Sequence, residues 1–423
     1  MENAQINASA NSTLSLLELI KSLGPGIMMA TAAVGGSHLV ASTKAGAIYG
    51  WQLAAVILLV NLFKYPFFRA GVQYTMGTGT SLIEGYARMG NSYLWVFTAL
   101  TVISGIVNTA ALLLFSASLL GYFSPVELSL TVNAGIISII CLTILFAGHY
   151  KALDKLSKVI MATLVITTLS AVIIAINHGP VAPASYQTPT IWDISCLGFV
   201  VIMMGWMPAP IEISCLTSLW LKRQCKEYNV SAKSALFDFN VGYIGTALLA
   251  IIFLALGALV LHGNGQTLST SGMGFSHQLV SMYASTIGEW SRYLVALVAF
   301  FCIFGSTITV IDGYSRAISE AQRLIQSKSS SFVYHRSWML IVSISAMIVL
   351  LFFTAHLMTM LNFAMILAFM TTPIFALLNY RLVARANLQG ELALTTRMKA
   401  LCWVGLTYLF GFLAVFIWWK WFL

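Results

Sequence analysis

Long apolar runs dominate this chain, and they decide its solvent. Stretches of about 20 predominantly apolar residues, enough for a helix to cross a hydrocarbon core, recur along its whole length. Of the 423 residues, 59% are hydrophobic and 8% charged, whereas soluble chains carry about 25% charged residues. So few charges cannot screen so much apolar surface from water, and the class is an all-α polytopic membrane protein. The formal charge of +9 then reads as Lys and Arg held on one side of a bilayer, not as a nucleic-acid patch.

Eleven spans fit the sequence: 24–43, 47–68, 92–121, 128–147, 156–177, 194–219, 238–261, 290–312, 337–356, 358–380 and 400–420. With a cytoplasmic N-terminus, the basic residues gather on the inner side. Arg69, Arg88, Lys151, Lys155, Lys158, Lys222, Arg223, Lys226, Lys233, Arg316, Arg323, Lys328, Arg336, Arg381, Arg385, Arg397 and Lys399 all fall there. The outer side keeps little beyond Arg292 and Lys420, as the positive-inside rule expects. Trp418, Trp419 and Trp421 around Lys420 read as an outer interfacial anchor. Segment 262–289 is Gly/Ser/Thr-rich and external. The N-terminal segment 1–23 has no basic region leading into an apolar core, so it is not a cleavable signal. Leu16, Leu17, Ile20 and Leu23 fit one face of a short interfacial helix, with a disordered tail as the other reading of residues 1–13. The six cysteines are scattered without a CxxC pair, which reads as packing and not as a disulfide or zinc framework.

Two spans carry clustered helix breakers. The first contains Gly35, Gly36, Ser37 and His38; the sixth reads MMGWMPAPIEIS, with Gly205, Pro208 and Pro210. Non-helical backbone at membrane depth must be buried in protein or line a cavity. Taking 24–177 and 194–380 as two repeats within a ten-helix core, both breaks fall in the first helix of their repeat. Paired interruptions of this kind point to the midplane site of an inverted-repeat transporter. Residues 400–423 then form an eleventh helix with an external C-terminus.

On these residues the chain resembles the Nramp family of proton-coupled divalent-metal transporters. GPGIMMATAAVGGSHLVASTKAGAIYG, from Gly24, resembles that family's first span, and Met207-Pro208 matches its sixth-span Met-Pro. GHYKALDKLSKVI, Gly148 to Ile160, is similar to its linker between spans four and five, and FGSTITV, Phe304 to Val310, to its eighth span. The resemblance implies a LeuT-like fold: a 5+5 inverted repeat with one extra helix, helices 1 and 6 broken.

The departures lie where cargo should bind. The family's first-span Asp-Pro-Gly-Asn is replaced by Gly35, Gly36, Ser37 and His38, so the metal-binding Asp is a glycine. In the sixth span the family's Ala-x-x-Met-Pro-His becomes Met204 to Ala209; the Met survives as Met207 and the His does not. The third span has no acidic residue, and its Asn-like polarity is limited to Ser104 and Asn108.

Two cargo classes follow. A divalent metal, by resemblance, would meet His38 and Met207 as ligands, with Met204 and freed carbonyls beside them. Glu212, about one turn after Pro208, would supply the missing charge. An organic carboxylate or amino acid would instead use N–H groups freed at Ser37 and His38, at the positive end of a half-helix, with Gly35 and Gly36 allowing close approach and Trp206 packing on the substrate. Metal leads because Met207 is in register and Glu212 is near. A third reading is a non-transporting receptor that keeps the fold.

Glu212 and Asp312 are the conspicuous intramembrane acids, and such acids are functional by default. Both are candidates for coupling to a proton or sodium ion. For Asp312, Arg316 offers a structural ion pair instead. Asp238 and Asn240 read as solvated end residues, and Lys64 as a snorkelling lysine at the inner end of span two. No Walker loop or HExxH occurs, so neither ATP-driven transport nor zinc hydrolysis is expected. The reading is a secondary transporter of the inner membrane, not an enzyme, with no resident cofactor, partnered by lipid and by a small solute.

Overall fold

The computed structural model describes residues 23–422 apart from 124–127, 148–149, 184, 266–268, 270–271, 329–331 and 353–355. The N-terminal segment and part of the Gly148–Ile160 linker therefore lie outside the described residues. Helices account for all regular structure among those described.

The first span is α1 (Pro25–Ala33), a π-helical turn (Ser37–Ser42) and α2 (Thr43–Tyr49). Then come α3 (Ala54–Thr78), the short α4 (Leu82–Met89), α5 (Asn91–Gly121), α6 (Leu130–Phe146) and α7 (Tyr150–His178). The sixth span is α8 (Leu197–Trp206) plus α9 (Ile213–Glu227). After it follow α10 (Ala232–Val260), α11 (Gly272–Ile287), α12 (Arg292–Ile325), α13 (Phe332–Leu351), α14 (Leu357–Arg385) and α15 (Thr396–Phe422). Among the described residues, the 8 helices long and apolar enough to cross a membrane, the shorter α6 and the two broken spans match the eleven expected crossings.

Several boundaries move. The first span runs to Tyr49, six residues past the expected edge at 43, and α3 starts at Ala54 instead of 47. The break uses residues without adding the full rise of a helix, so a fixed apolar window stops too early. Gly50, at φ 57°, ends the span in a conformation glycine tolerates best. Helix α12 extends beyond 312 because its inner turns pair their charges, Arg316 with Asp312 and Arg323 with Glu320. The segment 262–289, expected to be an external loop, contains α11, which buries Phe275, Leu279, Val280 and Tyr283 along one face.

The broken spans are wedged between backbones. A Cβ at Gly46 would stand 2.0 Å from the Leu254 carbonyl oxygen, and one at Gly257 would stand 2.1 Å from that of Thr43. These glycines seat the first span directly on α10, the small-residue contact that lets membrane helices approach closely. A Cβ at Gly205 would fall 1.9 Å from the Met365 oxygen, so α8 lies equally tight on α14.

Asp238 overturns its reading as a solvated end residue. It is 3% exposed, and its carboxylate accepts from the Gly24 N–H at 3.0 Å and the Gly26 N–H at 2.7 Å. The first N–H groups of a helix have no partner within it. Asp238 supplies that partner to α1 from another helix.

Candidate functional site

At the first break Val34 turns extended (φ −81°, ψ 91°), and its carbonyl loses its helical partner. Helix α12 supplies one: Cys302 Sγ and Ser306 Oγ both lie 3.2 Å from the Val34 oxygen. A Cβ at Gly35 would come 2.8 Å from Ser306 Oγ, and one at Gly36 2.5 Å from the Trp206 ring. The paired glycines thus let α12 and α8 close on the break from two sides.

The N–H group expected to be free at His38 is taken. It donates to the Gly35 carbonyl at 3.2 Å, and Leu39 N–H joins it on that oxygen at 3.0 Å. The wider π turn reaches back across the interruption, so the carboxylate cradle read from the sequence loses His38 as a donor. The His38 side chain is fully buried. Its Nε2 is 2.9 Å from the Thr246 carbonyl and its Nδ1 2.6 Å from Ser37 Oγ. A carbonyl only accepts, so Nε2 carries a proton, and the ring ties the break to α10. Ser37 Oγ is also 2.7 Å from the Ala33 oxygen and 3.5 Å from the Pro208 oxygen, reaching the second break.

The second break begins at Met207, extended at φ −94° and ψ 114°, and continues through two prolines that lack N–H groups. Lys64 meets it. The sequence reading had this side chain snorkelling to the interface, but it is 0% exposed. Its Nζ donates to the carbonyls of Met204 (2.7 Å), Gly205 (3.2 Å) and Ala209 (3.3 Å). Carbonyls at a helix C-terminus have no intrahelical partner, and an ammonium has three protons to give. That match holds Lys64 inside. Glu212, 1% exposed, sits at the N-cap of α9, where the helix dipole favours an anion.

A polar relay connects the site to Glu212. Trp206 Nε1 donates to Asn108 Oδ1 at 2.9 Å, Asn108 Nδ2 to the Tyr314 hydroxyl at 3.1 Å, and Tyr314 to Glu212 Oε1 at 3.1 Å. Glu212 Oε2 has no hydrogen-bond partner among the described residues. Asn108 was visible in the sequence as rare third-span polarity. Tyr314 was not, because a tyrosine near the inner end of a span reads as an interfacial aromatic.

Between the two breaks lies a cavity of about 30 Å³. Ala33, Gly36 and Ser37 line it from the first break; Trp206, Ala209, Pro210 and Ile213 from the second; Asn108, Val310 and Tyr314 close it from α5 and α12. Of the residues placed around the cargo from the sequence, Gly36, Ser37 and Trp206 line the cavity. Gly35, His38, Met207 and Glu212 are not among its lining residues. Met204 turns its sulfur to the Tyr408 hydroxyl at 3.5 Å, toward α15. Asp312 is engaged elsewhere, with Arg316 Nη2 at 2.6 Å and His335 Nε2 at 3.4 Å. Among the described residues no three His, Cys, Asp or Glu side chains converge as a metal cluster.

Comparison with known proteins places these features. The family of natural resistance-associated macrophage protein-like (Nramp) sequences matches residues 26–419. An uncharacterized protein of Pasteurella multocida, PM0681, is 49% identical over 399 residues, which is 93% of this chain and 91% of the relative. Among solved structures, a mutant of the manganese transporter of Eremococcus coleocola superposes with a TM-score of 0.73 at 14% identity, covering 98% of this chain and 89% of its own. Mhp1, a nucleobase-cation-symport-1 family transporter in a closed conformation with bromovinylhydantoin bound, gives 0.60 at 12% identity, covering 93% and 91%. At such identities the structural matches show the LeuT-like fold with broken first and sixth helices.

Proposed function

The chain belongs to the Nramp family, and on that premise we propose that this multi-pass membrane transporter carries a divalent metal cation through the cavity between its two breaks. The observation that carries the reading is the cavity itself. About 30 Å³ is the scale of a few water molecules, a size that suits an ion. Ser37, Asn108 and Tyr314 are the polar side chains other than Trp206 that line it, and oxygen ligands of this kind suit hard cations such as Mn²⁺ or Mg²⁺.

With Gly35 in place of the family's aspartate, no carboxylate lines this cavity. Glu212 supplies the offsetting charge through Tyr314 and takes up the coupled proton, its free Oε2 being the acceptor. Met207 is the soft donor of the second break and comes to the cargo as the half-helices move, with Gly35, His38 and Met204 shaping the path. Alternating access proceeds by rocking of one bundle against the other, with 24–177 and 194–380 as inverted repeats. The inner-side concentration of Lys and Arg supports a cytoplasmic N-terminus in a bacterial inner membrane.

Uptake by the purified protein in liposomes tests the function. Accumulation of Mn²⁺, Mg²⁺ or Cd²⁺ is the expected result. Uptake of a labelled carboxylate or amino acid without metal uptake would overturn the cargo, and absence of any flux would return the chain to the receptor reading.

A further inference from the structure

Helix breaks in membrane transporters expose carbonyls, and unwound carbonyls together with half-helix C-termini are where such proteins hold a coupling cation. The sixth-span break has such a set. The Met204 and Gly205 oxygens belong to the last turn of α8, and the Ala209 oxygen to the unwound stretch beyond it. All three point at one atom, Lys64 Nζ, at 2.7, 3.2 and 3.3 Å. The side chain reaches them from α3, a different helix, with no exposed surface. A buried charge needs partners, and the three carbonyl oxygens accept the three protons that an ammonium has to give.

We propose that the Lys64 ammonium is a tethered cation occupying the carbonyl site of the sixth-span break, so that this protein needs no bound sodium or potassium ion there. An ammonium and a monovalent metal ion satisfy the same three oxygens. The tether keeps the ligand in place at every ion concentration, and the site is always filled. Removing the side chain beyond Cβ empties a space shaped for n-propylammonium and opens the carbonyls to a free cation.

The test uses full-length protein purified in detergent, with thermal unfolding followed in sodium, potassium, n-propylammonium or choline chloride at equal ionic strength. Wild-type Tm is expected to be the same in all four salts. Lys64→Ala should unfold earlier in choline and recover by several degrees in n-propylammonium or one of the small metal ions, because a ligand that binds only the folded state raises Tm. Lys64→Met, which fills the space with a neutral chain, should stay low in every salt.

A purely structural lysine would predict no ion-specific recovery in Lys64→Ala, and that result overturns the proposal. So does specific stabilisation of the wild type by sodium or potassium, an arm that requires no variant. Failure of Lys64→Ala to fold even when prepared in n-propylammonium, while Lys64→Met folds, overturns it too. The stability readout is independent of which cargo the protein carries.

Discussion

Tyr314 donates its hydroxyl proton to Glu212 Oε1 at 3.1 Å, joining α12 to the start of the second half of the broken sixth span. The bond fixes one oxygen of the buried carboxylate, with Ser104 also acting on the group. Under the proposed function, this carboxylate is the group that would take up the coupled proton.

Glu212→Gln removes that capacity while keeping the shape. Proton-driven metal accumulation in liposomes should fall at least tenfold, with downhill exchange less affected. Tyr314→Phe should shift the pH at which uptake is half-maximal without abolishing it. Uptake by Glu212→Gln with unchanged pH dependence would remove Glu212 from coupling.

Met207 brings the one thioether of the second break. Soft ligands favour soft ions, so Met207→Ala should lower Cd²⁺ uptake more than Mn²⁺ uptake, by about tenfold in the ratio, or ~1.4 kcal/mol of discrimination. An unchanged Cd²⁺/Mn²⁺ ratio would show that Met207 does not touch the cargo.

The backbone contacts of the broken spans leave no room for a methyl group. Gly205→Ala and Gly46→Ala place a Cβ 1.9 and 2.0 Å from carbonyl oxygens, and overpacking costs about 1–3 kcal/mol. Both should lower Tm. Gly411→Ala on α15, where nothing lies within 4 Å, serves as the control and should leave Tm unchanged or slightly raised.

Asp238→Ala removes both acceptors from the start of α1. Loss of a capping side chain costs about 0.5–2 kcal/mol. Lower Tm should be accompanied by faster amide exchange at Gly24 and Gly26, the two groups left without their partner.

Glu84 links three elements outside the membrane. It closes a capping box with Ser81 on α4, meets Lys222 at 2.5 Å and lies 3.8 Å from Arg323. Burial alone would push its carboxyl up, but Lys222 and Ser81 outweigh it and hold the group below its ordinary value of 4.5. A depressed value means the folded state favours the ionised form. The contribution is complete above the unfolded-state value and fades as pH falls through the folded-state value. Glu84→Gln should therefore cost about 0.5–1 kcal/mol at neutral pH, the range of partly exposed pairs. Its Tm difference from wild type should shrink on acidification.

The sequence by itself determined the solvent, the number of crossings and the positions of both breaks. Each follows from local chemistry: apolar length, paired glycines, and prolines without an N–H. It also held the family likeness and the loss of its first-span carboxylate at Gly35. Only the tertiary structure decided what the polar residues do. Lys64, Asp238 and Tyr314 have the same local signature as interfacial or end residues, and each is drawn inward by a partner far away in sequence. Lys64 reaches Met204, Gly205 and Ala209, Asp238 reaches Gly24 and Gly26, and Tyr314 reaches Glu212. His38 is similarly fixed by Thr246 on α10. A buried polar group must be paired, and the identity of its partner is a property of helix packing that one-dimensional patterning does not carry.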